Sequence, residues 1–293
     1  MINKKAPINR GLFYLYIYSI LIDQMMLKRF TKKLFSVTAL QPFLNECNYY
    51  WQYIIHFNRN KKFILNNPTK PIPPNRDLFE TFKLDYELFF KDGQIAAKEI
   101  LDYYRLYSST PNDKTYVLDW GCGVGRVIQH IPSILKDAIC YGADINNERI
   151  EWNRSHIPSI LFDVIEYKHL PYPSSFFNLI YGISVFTHIH SNEQLFWIKE
   201  LKRIMQSGSV AIISTHGNHY YNHLSTKEQQ SISTNGSITN EYKKDGHHLM
   251  TTYNDSIAFR TLLEQFFEIK AFYDGKNHPN KLGGQDLWII MNV

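Results

Sequence analysis

An acid, Asp119, closes the apolar run Tyr116-Val117-Leu118, and Gly121, Gly123 and Gly125 follow it at alternate positions in the stretch TYVLDWGCGVGR. A buried strand that ends at a carboxylate and turns through glycines into a helix brings bare backbone up to a nucleotide-like ligand. The dinucleotide fingerprint G-x-G-x-x-G wants its third glycine one place later, in the slot that holds Arg126 here. A carboxylate just ahead of the first glycine repels a pyrophosphate and attracts a cationic amino group. The expected ligand is therefore a zwitterion rather than a diphosphate. Cys122 sits between two of these glycines with nothing basic placed beside it, so it reads as a packed small residue and not a nucleophile.

The elements that must hold this turn follow from periodicity. Strand one is Tyr116 to Asp119, and Val124 to Leu135 is predicted as the helix after the glycines. Strand two runs from Ile139 to Ala143 and ends at Asp144, with a helix from Asn147 to about His156. Strand three is Ile160 to Val164, and Phe177 to Val185 is continuous enough to be central in a sheet. Glu193 to Met205 is an amphipathic helix with Leu195, Ile198, Leu201 and Met205 facing the core, and Val210 to Ser214 is the fifth strand. Residues 215 to 255 are polar, rich in His and Ser, and without clear period, which suits a lid or binding insertion. A helix closing at Leu262 to Phe267 and two last strands, Glu268 to Tyr273 and Gln285 to Asn292, complete the chain, the final pair as a hairpin. Such alternation specifies an α/β fold on a seven-stranded, mostly parallel sheet with helices on both faces.

Ahead of this domain lies a different composition. Residues 38 to 66 read as one aromatic-rich helix and a turn, and NNPTKPIPPNR reads as an extended linker, so the chain divides at residue 76 into a helical extension and the domain 77 to 293. From Asp77 to Leu106 helical spacing returns, with Ile95, Ala96, Ile100, Leu101 and Tyr104 on one face. Residues 1 to 76 carry twelve Lys and Arg against two acids, a net +10, inside a chain whose total is +5. A front of this charge keeps nucleic acid or a membrane surface open as a secondary partner, although separated short clusters equally suit a solvated basic face, and neither partner is favoured. The apolar run after Arg10 is too short to span a bilayer and lacks a small-residue cleavage site. The three cysteines, Cys47, Cys122 and Cys140, are too scattered for a disulfide framework, and the expected compartment is the reducing cytoplasm.

The stretch VLDWGCGVGR resembles the first motif of class I S-adenosylmethionine-dependent methyltransferases. YGADINNERIEW is similar to their second motif, LFDVIEYKHLPYPSSFFNLIYGISVFTHI to the next pair, and WIKELKRIMQSGSVAIIST to the helix and strand beyond. The usual K-P-G-G turn is replaced by Gln206-Ser207-Gly208-Ser209, a departure that affects a turn and not the cofactor site. The resemblance covers roughly residues 93 to 293 and implies a Rossmann-like sheet with S-adenosylmethionine as cofactor. It implies Asp119 for the amino group, Gly121, Cys122 and Gly123 for close backbone approach, and Asp144 for the ribose hydroxyls. Glu166 takes the adenine amino group, with Asp163 as the lesser candidate, and Ile145 and Ser184 complete the cofactor set.

For the acceptor the residues say less. Methylation of an oxygen benefits from a base that titrates near neutrality, and the histidines on the expected ligand side are His188, then His216, with His247 and His248 in the insertion. His216, His219 and His223 have a spacing that could bind a metal on a helix, but Gly217, Asn218 and Asn222 weaken that helix and no metal is expected. The expected activity is methyl transfer to a small-molecule or sugar-type acceptor. A macromolecular acceptor recruited by residues 1 to 76 and a non-catalytic cofactor-binding scaffold are the alternatives, and the oligomeric state is open.

Overall fold

The computed structural model describes residues 41–108, 114–166, 169–244, 247–278 and 282–293. The apolar run after Arg10 lies outside them. Contacts divide the chain into two compact units, Met1–Lys61 and Lys62–Val293, so the division falls inside helix α1 (Gln41–Asn66) and upstream of the prolines.

The second unit is built on one seven-stranded sheet in the order β3-β2-β1-β4-β5-β9-β8. Its strands are β1 (Thr115–Trp120), β2 (Ala138–Asp144), β3 (Leu161–Val164), β4 (Phe177–Gly182), β5 (Met205–Thr215), β8 (Glu268–Tyr273) and β9 (Asp286–Met291), while β6 (Ser237–Lys244) and β7 (His247–Asn254) pair as a separate hairpin. β1 to β5 are mutually parallel, and β9 runs antiparallel to both β5 and β8. Strand alternation splits the core. Val117, Leu179, Tyr181, Ile212 and Ile289 pack on one side with α3 (Tyr86–Tyr107) through Ala97, Ile100, Leu101 and Tyr104. Leu118, Trp120, Ile180, Ile213 and Trp288 pack on the other with α6 (Gln194–Ile204) and α8 (Ser256–Glu264). The mostly parallel sheet with helices on both faces is the expected one.

Several expectations are corrected. No continuous helix runs from Val124 to Leu135. The chain stays in turns, passes through a 3-10 segment at Ile128–His130, and completes only one helical turn, α4 (Ile131–Ile134). Gly123 and Gly125 both hold positive φ, which keeps the backbone turning, and Pro132 supplies no N–H to a helix begun earlier. β4 ends at Gly182 and not at Val185, because Ser184 adopts φ 65°. β5 starts five residues early, and the Gln206-Ser207-Gly208-Ser209 segment is an irregularity inside it where pairing with β4 shifts register. Of the residues expected in the core from this helix, Ile198, Leu201 and Met205 are buried but Leu195 is exposed, and Trp197 and Ile204 of α6 join the buried set. On α3 Ile95 is likewise exposed.

The described residues of the insertion form regular elements. They include a 3-10 segment at Asn218–His223, α7 (Thr226–Asn235) with a capping box from Ser225 and Glu228, and the β6–β7 hairpin. The hairpin is clipped to the loop after β4. Thr252 Oγ1 donates to the Ile189 carbonyl at 2.7 Å, and the Ser191 N–H donates to Thr239 Oγ1 at 3.0 Å.

Candidate functional site

The glycine turn leaves β1 and is braced on every side but one. The N–H groups of Gly121 and Cys122 both donate to the Ala143 carbonyl of β2, at 2.7 and 3.0 Å. Gly123 donates its N–H to Asp144 Oδ2 at 2.8 Å, and its carbonyl accepts from Asn153 Nδ2 at 2.7 Å. Asn153 belongs to α5 (Asn147–His156) and is fully buried. The three glycines are glycines for different reasons. A Cβ on Gly121 would lie 2.5 Å from Val185 Cγ2, and one on Gly125 would lie 2.9 Å from Ile157 Cδ1, so both serve close packing. A Cβ on Gly123 would meet nothing within 4 Å, and that face is open.

Asp119 is buried beneath this turn. Burial pushes its carboxyl up to about 7, offset in part by the Tyr181 hydroxyl, the Arg126 guanidinium and the Ile128 N–H, with Asp144 pushing the same way as burial. Tyr181 lies beside it without the alignment of a hydrogen bond. Arg126 is committed elsewhere: it pairs with Asp92 of α3 and stacks over the Phe82 ring at 5.2 Å. Gly93 makes this approach of α3 workable, since a Cβ there would strike the Arg126 carbonyl oxygen at 2.3 Å. Asp144 caps β2, its Oδ1 accepting from the Asn146 N–H at 2.8 Å, and Ile145 beside it is 77% exposed. α2 (Asn75–Phe82) is tied to α5 by Arg149, which donates to Asp77 at 2.6 Å and Glu80 at 3.0 Å. Glu166 is exposed after β3, whereas Asp163 accepts from the Tyr172 hydroxyl at 3.1 Å. Cys122 is buried, its thiol raised by burial, and therefore inert.

These residues fit S-adenosylmethionine. An ammonium wants a buried carboxylate, a ribose diol wants a second carboxylate, and both lie beside one open glycine face.

A second polar cluster continues along the same strand ends. The Ser184 N–H donates to Ser214 Oγ at 2.7 Å, and Ser214 is fully buried, so its hydroxyl proton goes to Gln285 Oε1 at 2.6 Å. That fixes the Gln285 amide, whose Nε2 donates to Ser184 Oγ at 2.8 Å and faces His216 Nε2 at 3.4 Å. His216 Nε2 is then an acceptor and the neutral ring carries its proton on Nδ1, a buried nitrogen with no partner among the described residues. Burial, with a smaller push from His188, lowers His216 to about 4, so the ring is neutral at physiological pH. His188 is arranged oppositely. It is exposed, and its Nδ1 donates to the Met250 carbonyl of β7 at 2.9 Å, leaving the lone pair on Nε2. Asp286 is buried next to Gln285 and raised to about 6 by burial, although the Gly275 N–H donates to it at 2.9 Å.

The structure thus brings Asp119, Gly121, Cys122, Gly123 and Asp144 together, and joins Ser184, His188 and His216 in a neighbouring cluster. His247 and His248 fall on β7 with side chains outside the described residues. His219 lies on the 3-10 segment, and among the described residues no three His, Cys, Asp or Glu gather as a metal site. Asn153 and the site role of Ser214 escaped the sequence reading, which had the last strand open at Gln285 and Asp286 without a chemical role for either. A buried polar pair opening the apolar strand LWII was the available signal for the last two.

Sheet order, the antiparallel β9 and a carboxylate-glycine turn at the end of β1 form a Rossmann-like sheet similar to that of class I S-adenosylmethionine-dependent methyltransferases. Residues 117–208 match the family model described as a methyltransferase domain. Residues 117–208 of the chain thus carry a methyltransferase domain. Ajmaline N-methyltransferase of Rauvolfia serpentina is 29% identical over 119 residues, which is 39% of this chain and 39% of that protein. The chain therefore aligns with about two fifths of that curated relative. Among solved structures, the PH0226 protein of Pyrococcus horikoshii is similar at a TM-score of 0.53 and 14% identity, over 74% of this chain and 99% of that one. CalS10 of Micromonospora echinaspora, an amino pentose methyltransferase solved with S-adenosylmethionine bound, is similar at 0.51 and 10% identity, over 70% and 92%. At these identities the likeness is one of fold. Among the described residues no helix is long and apolar enough to cross a membrane.

Proposed function

We propose that the protein transfers the methyl group of S-adenosylmethionine to a small-molecule acceptor, at oxygen, along the edge where β4 and β5 end and β9 begins. The observation that carries this reading is the conjunction of the buried Asp119 carboxylate with the open face of Gly123. Asp119 receives the cofactor's ammonium, Asp144 the ribose hydroxyls and Glu166 the adenine amino group. Ile145 offers an apolar surface to the adenine ring, and Gly121, Cys122, Gly123 and Ser184 present backbone. Bound cofactor supplies an electrophilic methyl on a sulfonium. His188 supplies the base: the Met250 carbonyl holds its Nδ1–H, and Nε2 takes the hydroxyl proton of the acceptor. His216, neutral and with Nε2 facing the Gln285 amide, takes no proton and helps hold Gln285 and Ser184 in place.

A nitrogen acceptor is the second reading, favoured by what the relatives are named for: an N-methyltransferase and an amino pentose methyltransferase. Calorimetric binding of S-adenosylhomocysteine, followed by labelled methyl transfer to matched hydroxyl and amine acceptors, tests both. Absence of binding removes the enzyme reading, and transfer to amines alone replaces oxygen by nitrogen.

A further inference from the structure

Helix α1 wears its amphipathicity inside out. Its more buried stripe, Asn45, Tyr49, Gln52, His56, Asn60 and Phe63 at helical spacing, is polar at four of its six positions. The open side carries Phe43, Tyr50, Trp51, Ile54, Phe57 and Leu65 among its apolar residues, interrupted by Glu46, Asn58 and Lys61, and Phe43, Ile54 and Leu65 are 64%, 65% and 72% exposed. A helix of 26 residues is about 39 Å long, so this is a long apolar band, larger than a soluble surface ordinarily leaves open. It is too broad for the narrow seam of a coiled coil, and α1 is not apolar enough to cross a bilayer.

Charge decides the occupant. Lys61 and Lys62 are exposed on the last turns of α1, Arg59 is near them, and residues 1 to 76 hold a net +10. Pairing two copies through this face would bring two such segments together, whereas anionic headgroups neutralise them. Trp and Tyr, with an apolar body and a polar tip, suit the boundary between headgroup and acyl chain. We infer that α1 lies in the plane of an anionic phospholipid surface, with its aromatic face in the interface and its lysines among the headgroups.

Flotation of the full chain with phosphatidylcholine vesicles, with and without phosphatidylserine, tests this. Binding is expected to be about tenfold or more tighter to the anionic vesicles and to weaken with salt. The double substitutions Ile54→Ser with Phe57→Ser, and Lys61→Glu with Lys62→Glu, each reduce it by about tenfold or more while S-adenosylhomocysteine binding is unchanged. Because all four positions are exposed, neither variant loses a buried contact. A wild-type chain that does not float, or an Ile54→Ser, Phe57→Ser variant that floats as well as wild type, overturns the inference. So does a concentration-dependent dimer abolished by that same variant, which assigns the face to a second copy.

Discussion

Replacing Asp119 by Asn separates what the residue costs the fold from what it gives the ligand. Its carboxyl is raised from 3.8 to about 7 by burial. Between those values the folded chain binds a proton that the unfolded chain does not, so the associated stability is present below 3.8 and is lost as pH rises through about 7. At about 1.36 kcal/mol per pKa unit, ionising Asp119 in the ligand-free protein costs the fold up to roughly 4 kcal/mol above pH 8. Asn carries no charge and escapes this cost. Urea denaturation of the ligand-free Asp119→Asn protein should therefore show a gain over wild type at pH 8 that shrinks as pH falls toward 5. Binding should move the other way. An ammonium loses a charged hydrogen-bond partner, worth about 1.5–3 kcal/mol, or roughly ten- to a hundredfold in S-adenosylhomocysteine affinity. In wild type that affinity should rise with pH up to about 7 and then level, with protons released on binding at pH 6. A stability difference independent of pH, or unchanged affinity in Asp119→Asn, would refute the reasoning.

The glycines give a paired test. Gly125→Ala should lower the melting temperature because its Cβ meets Ile157, whereas Gly123→Ala meets nothing and should cost only about 1 kcal/mol for its φ of 52° while abolishing cofactor binding; comparable thermal losses in the two variants would count against the open face. His188→Ala should lower kcat by about 10²–10⁴-fold toward a hydroxyl acceptor, with cofactor affinity intact, and an unchanged kcat would exclude it as the base. Gln285→Leu should destabilise by about 1–3 kcal/mol, because it strands the buried Ser214 hydroxyl proton, and urea denaturation would show it. His216, held neutral with a value near 4, should leave the kcat profile between pH 6 and 9 unchanged when replaced by Asn.

The sheet was legible in sequence because each strand has an apolar run and most crossovers a helical period, the stretch from Val124 to Leu135 being the exception, and Asp144 could be read as the end of β2 from the same pattern. The glycine turn was legible as a ligand loop, but the division of labour among its glycines was not. Gly121 and Gly125 answer to Val185 and Ile157, which come from other elements, and only the folded neighbours separate packing from access. Leu195 and Ile95 were assigned to the core because hydropathy at helical spacing leaves the angular width of a buried face undetermined. The largest gap concerns the histidines. His188 and His216 look equivalent in sequence, each following a strand at the same sheet edge. Their difference lies in hydrogen-bond partners far along the chain, Met250 for one and Gln285 for the other. A carbonyl facing Nδ1 leaves Nε2 basic, whereas an amide facing Nε2 occupies the only lone pair of the ring, and local sequence contains neither partner. The same reasoning bears on the methyl acceptor. A cluster whose exposed histidine, His188, keeps the Nε2 lone pair while the Nδ1 of His216 is buried suits an acceptor that gives up a proton as it is methylated, as a hydroxyl does and a tertiary amine does not.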